Sequence, residues 1–291
     1  MDKIRNLEKV TVILVNYNGR KYLKNCIDSL MGQTYSNMSV LVVDNNSEDD
    51  SVRFLRENYP EIDIISCTKN YGFAKANNIG IRRAAEHGAD YVMLLNVDTS
   101  VDSRLLECLM REAGNNVIAV PTIYSDKRYM KIWYAGGEID YANGDSYHIT
   151  QRRGNTVQEV SFACGCCMLI HKKIIDRVGV LDEKYYLYYE DTDWSIRFKE
   201  ANIKINYVPQ AKMWHRIGGS GGKKGRLIKT YYLTRNQLYL IKKHQDCIKM
   251  SIFKKTMQVV RNSFSRETDK QKRKYIWLGL RDFYAGKTGR L

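Results

Sequence analysis

The feature that most constrains the fold is a rhythm in the first 121 residues, where short β-branched runs alternate with amphipathic stretches. Residues 9–15 and 39–44 read as strands. Between them Leu23, Cys26, Ile27, Leu30 and Met31 recur at helical spacing and give one apolar stripe, so a helix links the two strands. The rhythm continues with Ser47 to Asp49 capping a helix that runs to Tyr59. A strand at 62–66, a helix at 72–87, a strand at 91–95, a helix at 103–115 and a strand at 117–121 follow. Such alternation predicts α/β architecture, with parallel strands covered by helices on both faces. Near residues 131–150 it gives way to Gly- and Tyr-rich alternation with turn signals at Gly136-Gly137 and Asn143-Gly144, the pattern of hairpins. Residues 160–171 predict a buried strand, 190–201 a helix, and 203–208 a strand ended by Pro209. After a Gly-rich basic loop come helical patterns around 227–243, 252–264 and 275–284. The expected division is 1–222, with halves at 1–121 and 122–222, followed by a basic helical extension at 223–291.

A chain of 291 residues that is 44% hydrophobic can bury a sizeable core, which excludes disorder as its dominant state. A net charge of +15 suggests nucleic acid until it is split by position. Residues 1–222 hold 28 basic and 28 acidic side chains, whereas residues 223–291 hold 19 and 4. With an even balance over most of the chain and no nucleic-acid motif, a non-catalytic basic nucleic-acid-binding protein is the weaker alternative, and no nucleic-acid partner is expected. The opening residues 1–9 are charged, and no apolar run approaches the ~20 residues that span a bilayer. The expected location is therefore cytoplasmic. Seven irregularly spaced cysteines fit reduced thiols. Cys164, Cys166 and Cys167, among Ala163, Gly165, Met168 and Leu169, read as part of a buried strand rather than as a metal site.

In an open parallel sheet, ligands bind beyond the carboxyl ends of the strands. Three such ends are polar here: Asn16-Tyr17-Asn18-Gly19, Asp44-Asn45-Asn46-Ser47 and Asn96-Val97-Asp98. Asp44 suits the ring N–H of uracil or thymine, with Asn16 and Tyr17 beside the base; the bland account is that Asp44 caps the next helix. Asn70, Lys75 and Asn77 lie at the start of a predicted helix, whose free N–H groups and positive potential suit a ribose or phosphate. Asp98 beside Asn96 offers the oxygen ligands that Mg²⁺ or Mn²⁺ prefers, and such an ion neutralises a departing nucleoside diphosphate. His215 offers a nitrogen ligand that would tilt the choice toward manganese, although a lone His after a strand is more often structural. A sugar nucleotidyltransferase is a further alternative, but it needs a phosphate-cradling Gly-rich loop after the first strand, where only Gly19 occurs.

Residues 181–194 concentrate five carboxylates among four tyrosines and Trp194. Aromatic faces with polar edges match the mixed surface of a sugar, and a carboxylate among them is placed to deprotonate a hydroxyl. Helix-dipole stabilisation of acidic residues near position 190 explains one of these carboxylates and leaves the cluster unexplained.

Taken in order, Val15-Asn16-Tyr17-Asn18, Val43-Asp44-Asn45-Asn46-Ser47, Asn70-Tyr71-Gly72-Phe73-Ala74, Asn96-Val97-Asp98, Tyr189-Glu190-Asp191-Thr192-Asp193-Trp194, the late His215 and Tyr231-Tyr232-Leu233-Thr234-Arg235-Asn236 resemble glycosyltransferase family 2, in its bacterial rhamnosyltransferase-like branch. The resemblance runs from about Thr11 to Asn236. It implies a GT-A fold, a single Rossmann-like α/β unit with a mixed central sheet, and an inverting, metal-dependent hexosyltransferase of cell-surface polysaccharide synthesis. It implies that Asp191 is the catalytic base and that Asp98 and His215 hold the metal, while Asn96 replaces the first aspartate of the family's Asp-x-Asp. Tyr189, Glu190, Trp194 and Gly165 would face the acceptor, and Arg235 the diphosphate or a loop at 218–225; a helix-surface arginine is an equal account. The implied donor is dTDP- or UDP-linked, and the acceptor a glycan or lipid-linked saccharide. Peripheral attachment of the basic helices to an anionic membrane surface is expected, with packing on the rest of the chain as the equal alternative.

Overall fold

The computed structural model describes residues 8–126, 130–152, 154–216 and 222–291. The expected alternation is present as β1 (Val10–Asn16), α1 (Arg20–Met31), β2 (Met38–Asp44), α2 (Ser51–Asn58), β3 (Asp63–Ser66), α3 (Gly72–Glu86) and β4 (Tyr91–Asn96). These strands are all parallel, in the order β3-β2-β1-β4. Leu23, Cys26, Ile27 and Leu30 of α1 are buried, whereas Met31 at the end of the stripe is exposed. Small residues let α3 approach the sheet closely: a Cβ at Gly80 would come within 2.5 Å of the Ile13 side chain.

Beyond β4 the sheet becomes mixed. The strand β11 (Cys167–His171) runs antiparallel to β4, followed by β6 (Val117–Asp126), β12 (Lys204–His215) and the edge strand β10 (Gln158–Val160). Two additions lie off this path: β5 (Thr99–Val101) pairs with the end of β12, and β7 (Lys131–Tyr134) with β6. A separate hairpin joins β8 (Gly137–Asp140) to β9 (Asp145–His148), and Gly144 in its turn has φ +61°. The helices α4 (Leu105–Glu112), α5 (Lys172–Val178) and α6 (Glu190–Glu200) complete this part.

Two expectations are corrected here. Residues 160–171 are not one strand: the chain leaves the edge at β10, turns through residues 161–166 and re-enters the sheet centre as β11. Apolar character marks burial equally in turn and strand, so hydrophobicity alone did not separate them. Nor does Pro209 end its strand. The pairing of β12 with β6 shifts register between Val208 and Lys212, and the proline occupies this irregularity, where its missing N–H costs no ladder bond.

The final helices are α7 (Gly222–Lys243), α8 (Ile252–Ser263) and α9 (Lys270–Tyr284). Leu240 and Ile241 of α7 join the main core, and Ile241 packs against the hairpin at Gly144. Leu238 with Ile276 and Leu280 forms a second small cluster under α9. Gly279 allows that approach, since a Cβ there would meet the Tyr231 carbonyl at 2.9 Å. Among the described residues, no helix is long and apolar enough to cross a membrane.

Candidate active site

The carboxyl ends of β1 and β2 are adjacent, with Asn16 in register with Asp44. Asn16 is wholly buried; its Nδ2 donates to Asp44 Oδ1 at 2.8 Å and to Ser47 Oγ at 3.0 Å, and the Ser47 N–H donates to Asp44 Oδ2 at 2.9 Å. Asp44 therefore closes its own loop, while Asp49 and Asp50 sit at the start of α2. Asn16 Oδ1 has no hydrogen-bond partner and lies against Gly19, where a Cβ would come within 2.3 Å of it. Tyr17 remains 45% exposed on this rim.

At the start of α3 the expectation of free N–H groups is corrected for the first positions. The Tyr71 N–H is donated to Asn45 Oδ1, that of Gly72 to Asn70 Oδ1, and that of Phe73 to the Tyr186 carbonyl. Asn70 Oδ1 also accepts from Asn45 Nδ2 and the Tyr186 hydroxyl, so it is a brace between three segments. Asn77 is buried, with Nδ2 donated to the Phe73 carbonyl, and Lys75 pairs with Glu183 at 3.2 Å. Sequence reading placed these polar groups at a ligand because it could not see the loop at residues 185–189 folding over the helix end.

Asp98 follows β4, and the β5/β12 ladder sets Thr99 opposite His215. This ladder closes a long sequence separation and brings Asp98 Oδ1 to 3.1 Å from His215 Nε2. Two donors at right angles around an ion with bonds of about 2.1 Å lie about 3 Å apart, so the pair fits a six-coordinate divalent cation. His215 Nδ1 is buried without a partner, and Trp133 packs edge-on to the ring at 4.9 Å, which fixes its plane. Asn96, the first residue of the Asn-Val-Asp run, is anchored through its backbone, donating N–H to the Cys166 carbonyl and accepting from Thr99 Oγ1.

The turn at residues 164–166 links this pair to α6. Its Gly165 N–H donates to Asp191 Oδ2 at 3.0 Å, and the Thr192 N–H donates to Oδ1 at 2.9 Å. Burial pushes the Asp191 carboxyl above the usual range, against the pull of these donors. Glu190 is pushed up further, by burial and then by the charge of Asp191; its Oε2 is out of solvent with no partner. Environment thus separates the pair: Asp191 is held by donors suited to a carboxylate, and Glu190 by surroundings suited to the neutral acid. Gly165 packs against Phe73 and Asp191, where a Cβ would lie 3.2 and 3.5 Å from them. The three cysteines of this region are buried, and burial raises their thiols, in keeping with an inert role.

The segment leading into α6 is bent by α7. Tyr186, Tyr188 and Tyr189 all have positive φ, an unfavourable conformation for a bulky side chain. Asn236 Nδ2 lies within hydrogen-bond distance of the carbonyls of Tyr185, Leu187 and Tyr188, at 2.8–2.9 Å. Arg235 is only 3% exposed and donates to the carbonyls of Lys184, Tyr185 and Gly289, to Asn236 and to the Tyr231 hydroxyl. Neither expectation for Arg235 holds: it is not on the helix surface, and its donors are committed to the protein, leaving none for a diphosphate. Trp194 is also corrected as an acceptor residue. It is 0% exposed, its indole N–H is donated to Gly179, and it has no face for a sugar. Tyr189 is buried as well, with its hydroxyl on Asp145. Residues 217–221 of the expected glycine-rich loop lie outside the described residues.

Sequence reading missed Lys229 of α7, whose Nζ lies 5.4 Å over the Tyr188 ring and whose charge reaches His148, itself edge-on to Trp133. No spacing rule singles it out among 47 basic residues. Only the packing of α7 beside Tyr188 does so.

The mixed sheet, the polar rim and the acidic helix start define a GT-A glycosyltransferase. Residues 11–179, more than half of the chain, match Glycosyl transferase family 2, and the chain belongs to that family. It is 26% identical over 279 residues to a dTDP-rhamnosyl transferase, RfbF, of Shigella flexneri, covering 92% of this chain and 91% of that protein. Over 238 residues it is 25% identical to an N-acetylglucosaminyl-diphospho-decaprenol L-rhamnosyltransferase of Mycobacterium tuberculosis, covering 73% of this chain and 77% of the other. The solved structure of GalNAc-T7 with UDP, GalNAc and Mn²⁺ superposes with a TM-score of 0.62 at 15% identity, over 90% of this chain and 58% of that one.

Proposed function

We propose that this glycosyltransferase is an inverting, metal-dependent enzyme that moves a hexose, rhamnose in keeping with its branch, from a dTDP- or UDP-linked donor to a glycan or lipid-linked saccharide of a cell-surface polysaccharide. The observation that carries this reading is the turn at residues 164–166, which holds the Asp98–His215 strand end on one side and Asp191 on the other. Asp191 accepts the proton of the acceptor hydroxyl as its oxygen forms a bond to the anomeric carbon. The bond from that carbon to the diphosphate breaks with its electron pair leaving on the phosphate oxygen, and the configuration inverts. Asp98 and His215 would hold the divalent ion, which neutralises the departing diphosphate when bound. Tyr17 is the exposed face for the base, beside Asn16 and Asp44. Isothermal titration with UDP, dTDP and GDP, each with Mn²⁺, Mg²⁺ or EDTA, tests the donor site. Metal-dependent binding of one nucleotide, weakened in Asp98→Ala, is the expected result; no binding of any nucleotide would remove the reading.

The acceptor side favours work at the inner face of a membrane. Phe253, Met257 and Phe264 are exposed on and beside α8, interleaved with Lys254 and Arg261. Apolar side chains in a basic helix suit an anionic lipid surface. The protein is expected to float with vesicles containing anionic lipid at low salt and to be released at high salt; recovery in the soluble fraction at both would sink the attachment.

A further inference from the structure

The C-terminal ends of α6 and α7 converge away from the active site and bring together three side chains with metal-ligating atoms. These are Glu200, the last residue of α6, and His244 and Cys247 just beyond α7; their ligand atoms all lie within 4.8 Å of one another. His244 is buried and its Nε2 is 2.8 Å from Oδ1 of Asp193, a fully buried carboxylate. That carboxylate is also paired with Lys243 and Arg197. On the other side of the ring, Nδ1 lies 3.4 Å from Glu200 Oε1, so both face the space that the Cys247 thiol also borders.

We infer that Glu200, His244 and Cys247 form a second metal site, taking a zinc-type divalent ion and fastening the end of α7 to the end of α6. Imidazole nitrogen, thiolate and carboxylate together select a borderline ion rather than Mg²⁺. Tetrahedral bonds of about 2.1 Å to nitrogen and oxygen put those atoms about 3.4 Å apart, the separation seen here. Asp193 does what a carboxylate behind a ligating histidine does, fixing the tautomer and ring plane. The partial negative charge at two helix C-termini adds to the attraction. The hydroxyl of Tyr141, within electrostatic reach of Cys247 and Glu200, is out of solvent with no partner. On binding, the Cys247 thiol gives its proton to solvent and coordinates as thiolate.

The test uses the full chain carrying Asp98→Ala, to silence the catalytic pair, stripped with chelator and titrated with Co²⁺ and then Zn²⁺ alone. One Co²⁺ per chain is expected, with tetrahedral d–d bands and a thiolate-to-cobalt charge-transfer band that Cys247→Ala abolishes and Glu200→Gln leaves in place. Zn²⁺ is expected to displace Co²⁺ and raise the unfolding midpoint, a rise lost in Cys247→Ala. Glu200→Gln should lower affinity on the order of 10-fold. Cobalt binding without the charge-transfer band, a band that survives Cys247→Ala, or no binding at all would overturn the proposal.

Discussion

Asp191→Asn is expected to reduce turnover by a factor on the order of 10² or more while nucleotide binding persists. The asparagine keeps the shape and an acceptor for the Gly165 or Thr192 N–H but cannot take a proton. The burial penalty on the native charge offsets the cost of the one N–H left unpaired, so the variant should fold with stability near the parent's, which separates lost chemistry from lost folding. The pH profile supplies a sharper readout. A base works when deprotonated, and burial raises Asp191 above an ordinary aspartate, so the fall in activity with decreasing pH should set in at higher pH than an ordinary aspartate would give. Glu190→Gln should retain that acid limb, since burial disfavours the charged form of Glu190 and its Oε2 has no donor to hold a charge. Steady-state kinetics across pH on both variants check this. Near-normal turnover in Asp191→Asn, or loss of the limb in Glu190→Gln alone, would exchange the two roles.

Asn236→Ala is expected to lower stability by about 2–4 kcal/mol and turnover with it, although the residue touches neither reactant. Its amide reaches three carbonyls, that of Tyr185 buried and those of Leu187 and Tyr188 partly buried, in the segment that carries Tyr186, Tyr188 and Tyr189 at positive φ. Unpaired buried acceptors cost ~1–3 kcal/mol each, and left-handed backbone at such residues is kept only where surroundings enforce it. With the amide gone, the segment relaxes and the start of α6, including Asp191, moves relative to Gly165. Denaturant unfolding and titration with nucleotide distinguish the outcomes: donor affinity should be less affected than turnover. A stability within 0.5 kcal/mol of the parent, the range of ordinary surface changes, would show that α7 does not hold this loop.

The parallel half of the fold was legible because its signal is local: apolar stripes, β-branched runs and polar strand ends within a few residues of one another. Asp98 and Asp191 were legible as candidates for the same reason, each within a short run of distinctive chemistry. What the sequence by itself determined, then, is the succession of elements and the inventory of groups able to hold a nucleotide, an ion or a proton. The tertiary structure alone decided which of those groups face one another. The three-residue strand β5 sets His215 beside Asp98, and the turn at 164–166 sets Gly165 against Asp191. Packing of α7 against α9 and the segment at 184–188 takes Arg235 and Asn236 out of solvent and makes them supports. Trp194 and Arg235 carried the same residue types as binding groups would, but burial committed their polar atoms to the protein's own carbonyls. The physical reason is that hydrogen-bond donors and charge belong to a residue type, whereas their availability depends on what long-range packing leaves unsatisfied.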